Sequence, residues 1–129
     1  MPFVTANSPH SVPETIDRVV SALERRDIRV FARVDHGKGA RAAGLELADE
    51  ELLIFGDPRV GTLLMQGDPR IGYELPLRLL AWDDAGQTIV AYRRPTDLAA
   101  EYALSDQAGV LERMSGLFEQ LVAESVAPS

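Results

Sequence analysis

The sequence predicts an α+β fold: two layers, a curved and mainly antiparallel sheet with helices packed on one face, and a long C-terminal helix. Three observations carry that prediction. Apolar residues recur at helical spacing in "SVPETIDRVVSALERRD" and again in "QAGVLERMSGLFEQLVAESV". Apolar and polar residues alternate through "IRVFARVDH". The stretch "LPLRLLAWD", then "DAGQ", then "TIVAYRRP" reads as two strands joined by turn residues, which makes them antiparallel.

Each element has a local reason. "FVTANS" (Phe3–Ser8) is a short first strand. In the first helix Ser11 and Glu14 stand at capping-box spacing, and Pro13 sits in the first turn, where its missing N–H is harmless. Ile16, Val19, Val20 and Leu23 then form one apolar stripe over about four turns. In the next strand Ile28, Val30, Ala32 and Val34 are expected on one face, with Arg29, Phe31, Arg33 and Asp35 on the other. "GKGARAAG" reads as a helical turn ended by Gly44, and "LLIFG" as a buried strand. In the hairpin Leu77, Leu79 and Ala81 share a face, as do Ile89 and Ala91, around the turn Asp84–Gln87. "DLAAEYAL" reads as a short helix. Val110, Leu111, Met114, Leu117, Phe118, Leu121 and Val122 line the apolar side of the last one.

The 129 residues fit one domain, spanning 1–129. No run approaches the roughly 20 apolar residues of a membrane span, so no membrane partner is expected. The first ten residues lack the basic and apolar regions of a secretory signal. There is no cysteine, which excludes disulfides and thiolate metal sites. The reading is a cytoplasmic protein. Twenty acids against thirteen bases give a net charge of −7, the wrong sign for neutralising phosphates, so nucleic acid is excluded as a partner.

The hexapeptide Gly-Asp-Pro-Arg-(Val/Ile)-Gly occurs twice, at Gly56–Gly61 and Gly67–Gly72. Asp is a strong N-cap and Pro is favoured at the following position, so each copy reads as a helix start. An anion would meet the capping carboxylate there instead of free N–H groups, and the Lys-Ser/Thr of a phosphate loop is absent. One continuous helix is excluded because Pro69 would clash with the carbonyl of Met65. Two short helical pieces with a bend near Gly67 are expected, with Arg59 and Arg70 either solvated, paired to an Asp, or functional.

Taken together, "FARVDHGKGARAAGLEL" and "LLIFGDPRVGTLLMQGDPRIGYELPLRLLAW" resemble the family called domain of unknown function 302. The likeness covers nearly the whole chain and is most specific at Asp35–His36, Gly44–Leu45, Phe55–Gly56 with Pro58, Gly61, Leu64–Met65–Gln66 and Leu75–Pro76. The chain carries Glu74 where relatives commonly have Asp, and Asp57 where they often have Asn; both keep the polar or capping role. The resemblance implies the two-layer α+β fold and a homodimer. It implies no settled activity.

The residues leave three functions open. One is a dimeric module that binds a small molecule between sheet and helices. Another is an enzyme using His36 with Asp35 or Glu74 as an acid–base pair, with Asp57 and Asp68 gathered around them. The third is a protein-interaction domain whose exposed sheet face or edge is the dimer surface, with Phe31 and Trp82 as the aromatic residues of such a face. The candidate site is His36, Asp35, Glu74, Arg59 and Arg70. His10 is expected in an exposed loop. Two histidines without a ligand spacing point to no metal and no cofactor.

Overall fold

A computed structural model describes residues 2–129. Five strands, β1 (Phe3–Ser8), β2 (Arg29–Asp35), β3 (Glu50–Gly56), β4 (Leu77–Asp84) and β5 (Gln87–Arg93), form one open sheet in the order β1-β5-β4-β3-β2. Every neighbouring pair is antiparallel. Four helices complete the fold: α1 (Val12–Arg25), α2 (His36–Ala42), α3 (Pro58–Gly67) and α4 (Ala108–Ser125). The expected α+β class, the antiparallel sheet and the long C-terminal helix are all present.

Helices α1 and α4 pack against each other over one face of the sheet. Ile16, Val19 and Leu23 of α1 meet Leu53, Phe55, Leu79 and Val90 of the strands and Leu111, Phe118 and Leu121 of α4 in one buried cluster. The Phe118 ring stacks on Tyr92 at 4.4 Å between centroids and meets Phe55 edge-on at 5.5 Å. Ser11 caps α1 by accepting the Glu14 backbone N–H at 3.2 Å. The Glu14 carboxylate turns instead to His10, 3.5 Å away.

Strand β2 departs from the simple alternation. Val30 stands opposite Phe55 and Ala32 opposite Ile54, so one residue, Phe31, is extra. A bulge of this kind reverses which residues face which side. Val30 shares the core face of Phe55. Ala32 and Val34 share the other face with Ile54 and Leu52. Arg33 now points to the helix side, where it donates to the buried Glu51 and to Asp17, both at 2.6 Å.

Helices α1 and α4 leave the other sheet face uncovered. Cross-strand partners share a face, so a row of Thr5, Ala91, Leu80, Leu52 and Val34 crosses all five strands, beside Ile89, Trp82 and Ile54. Trp82 lies on this face as expected.

Two further expectations are corrected. The short helix expected over "DLAAEYAL" is a 3₁₀ helix that starts earlier and ends sooner, Pro95–Ala100, and a second short 3₁₀ turn, Ser105–Gln107, follows. His10 is not exposed: its side chain is 8% accessible, with Nε2 2.7 Å from the carbonyl oxygen of Ala127. The C-terminal residues therefore cover it.

Candidate functional site

The doubled hexapeptide starts two helical pieces, as its composition predicts. Asp57 caps α3 and Asp68 caps the 3₁₀ turn Pro69–Tyr73, which follows α3 directly. Each aspartate accepts the backbone N–H of the arginine two residues on, at 3.0 and 3.1 Å. Each arginine then folds back onto the same carboxylate through two more hydrogen bonds: Arg59 at 3.1 and 3.0 Å, Arg70 at 3.0 and 2.8 Å. The repeat is a self-contained cap in which the guanidinium neutralises the capping acid. Both carboxyls are held below the usual aspartate range, first by the arginine hydrogen bonds.

The closing glycine of each copy has a packing reason. A Cβ on Gly61 would stand 3.5 Å from Leu75 and 3.8 Å from Met65; one on Gly72 would stand 3.3 Å from the Met65 sulfur. Glycine lets Met65 lie between the two helical pieces. Beside them opens a cleft of about 480 Å³ between the Gly56 end of the sheet, α3 and α4. Phe31, Val60, Met65, Leu75, Met114 and Leu117 supply its apolar wall. Three charged residues, Arg26, Asp57 and Arg113, also line it.

The structure separates the residues that the sequence suggested as one site. His36 and Asp35 lie at the far end of β2, where Asp35 caps α2 by accepting the Lys38 N–H at 2.8 Å. His36 is exposed. Glu74 precedes β4 at the opposite end of the sheet and accepts the Tyr102 hydroxyl at 3.3 Å. A seven-residue strand puts about 20 Å between those ends. Asp57 and Asp68 are on the Glu74 side. The expected gathering of carboxylates around His36 therefore does not form, because β2 and β3 run antiparallel and carry Asp35 and Asp57 to opposite rims. Among the described residues no three His, Asp or Glu side chains converge as a metal site would require.

Arg59 lies just outside the cleft, with its guanidinium closed onto Asp57. Arg70 lies over Tyr102, 5.8 Å from the ring centre. Phe31, expected on the open sheet face, lines the cleft because it is the bulge residue. Sequence reasoning missed Arg113 altogether. Its only signal was position: it stands three residues after Val110 and four before Leu117, at the border of the apolar stripe of α4.

Fold and cleft define a class of protein: a small two-layer α+β domain with one helix-covered sheet face, one open face and a hollow at one sheet end. More particularly, the chain belongs to the family described as domain of unknown function DUF302, whose model matches residues 4–121. The crystal structure of an uncharacterised conserved DUF302 protein from Bacillus stearothermophilus has the same fold. It superposes with a TM-score of 0.75 over 98% of this chain and 96% of that one, at 20% identity. In sequence the chain is 48% identical over 103 residues to proteins named fluoride-specific ion channel FluC 1 in Brucella suis biovar 1 and Brucella abortus biovar 1. The match takes in 79% of this chain but only 41% and 38% of those proteins, so the chain spans about two fifths of their length. No helix among the described residues is long and apolar enough to cross a membrane.

Proposed function

We propose that this chain is a ligand-binding module that takes a small, mainly apolar molecule into the cleft between α3, α4 and the sheet end. The observation that carries this reading is the cleft itself. Its volume of about 480 Å³ falls in the range of small-molecule sites, about 300–1,000 Å³. Its wall is apolar, and its one carboxylate, Asp57, is already closed by Arg59. No acid–base pair faces into it, which favours binding over catalysis. Gly61→Leu tests the reading: a side chain there meets Leu75 and Met65 in the cleft wall and fills the hollow, and an unchanged circular dichroism spectrum establishes that the variant is folded before its binding is compared. Nile red should fluoresce with the unsubstituted protein and not with Gly61→Leu. Equal fluorescence from both would remove the cleft as the site.

We further propose that the module works as a homodimer through the open sheet face. Arg78 and Arg93 stand on this face at the end where β4 begins; Glu50 and Asp84 stand on it at the other end, with apolar rows between. A two-fold axis along the strands would stack arginine on arginine. An axis across the strands lays each copy's arginines over the other's acids and buries the apolar rows, as aligned sheets pack. Sedimentation equilibrium should give twice the 14.1 kDa chain mass, and Leu80→Arg should give the monomer. A monomeric parent protein at high micromolar concentration would rule this out.

A further inference from the structure

We propose that the ligand of the cleft is an amphiphile with a single carboxylate head, gripped at the cleft mouth by Arg113. This rests on reading the cleft as a ligand site and names what that site selects. Three charged groups face the hollow, and two of them are already matched within the protein. Arg26 is ion-paired with the Glu124 carboxylate, which it shares with Arg25, and also donates to the Ala22 carbonyl at 3.0 Å and to Gln120 at 3.4 Å. Asp57 is held by both guanidinium contacts of Arg59. Arg113 is exposed and enters no ion pair among the described residues.

Among the described residues the cleft therefore presents one guanidinium without an ion-pair partner, Arg113, beside an apolar wall of Phe31, Met65, Leu75 and Leu117. A ligand that matches both must join an apolar body to one negative charge. The planar guanidinium fork suits a carboxylate, which it meets through two parallel N–H···O bonds. A phosphate monoester carries nearly two charges at neutral pH. Its second charge would meet no further lining cation free of an ion pair among the described residues. A wholly neutral ligand would forgo the charge-assisted contact with Arg113 and bind more weakly for the same apolar body.

Decanoate, decanol and decyl phosphate share one tail and differ only in the head, so their dissociation constants isolate the role of Arg113. Calorimetric titration of the whole chain should show decanoate binding roughly tenfold or more tighter than decanol, the gain of one charge-assisted contact. Arg113→Met should bring decanoate down to decanol and leave decanol unchanged, because the methionine keeps the apolar stem. Decanoate and decanol binding alike to the parent protein would overturn the proposal. So would a preference that survives Arg113→Met, or decyl phosphate binding more tightly than decanoate. Failure of every tail to bind would instead sink the ligand-site reading beneath it, so the two failures are distinct.

Discussion

At the scale of single residues, the twin aspartates show how one short motif acquires two weights from its surroundings. Asp57 keeps 24% of its side chain exposed and makes its bonds within its own hexapeptide. Asp68 is only 5% exposed and accepts a further bond from the backbone N–H of Ala103 at 3.0 Å, which ties the first helical piece to the loop before α4. Its carboxyl is held well below the ordinary aspartate value, chiefly by Arg70 and then by Ala103. Its stabilisation is therefore fully present above the unfolded value of about 3.9 and is lost as pH falls below it toward the folded value. Asp68→Asn should lower the melting temperature more than Asp57→Asn does. It should also flatten the fall in stability that the parent protein shows on acidification below about pH 4. Thermal melts of the three proteins across that window check it; a matching acid slope in Asp68→Asn would show that other carboxylates dominate.

At the scale of elements, periodicity made most of the fold legible. The stripe of α1, the stripe of α4 and the hairpin all appear where the spacing of apolar residues puts them. What spacing did not reveal is a residue whose role depends on another strand. Nothing in "IRVFARVDH" marks Phe31 as extra, because a bulge is defined only against the register of β3. The hairpin turn carries a smaller departure. Gly86 adopts φ +93°, which glycine accepts freely, but Ala85 beside it stands at φ +50°, a conformation that costs a residue with a Cβ about 1–2 kcal/mol. Two positive-φ residues between paired strands favour Asn-Gly over Ala-Gly. Ala85→Asn should raise stability by roughly 0.5–1 kcal/mol, read as a shift in the urea midpoint without a change in slope. A lowered midpoint would show that the turn is held by something other than its own backbone preference, such as the Asp83 carboxylate that accepts the Gly86 N–H at 2.8 Å.

At the scale of the whole molecule, the cleft was hidden from the sequence because its walls come from β2, α3, the Leu75–Pro76 corner and α4, segments separated by as much as most of the chain. Only their assembly makes one surface of Phe31, Met65 and Leu117. The closure of the chain on itself was hidden for the same reason. Arg18, on α1, donates to the carbonyls of Ser125 at 3.0 Å, Glu124 at 3.2 Å and Ala127 at 3.0 Å. Carbonyls in the last turn of a helix have no partner inside it, and a cation there also suits the helix dipole. Arg18 thus caps α4 from the opposite end of the sequence, while His10 meets the same Ala127 carbonyl. Arg18→Met keeps the apolar stem and removes the donors. The loss should be about 1.5–3 kcal/mol, the range for hydrogen bonds made by a charged group. It should also be local: amide exchange should rise first in the final turn of α4 and the residues after it, while β3 and β4 keep their protection. A uniform rise across the sheet would mean that the clamp supports the whole core, and no rise at all would mean that the α1–α4 apolar contact alone fixes the C-terminal turn.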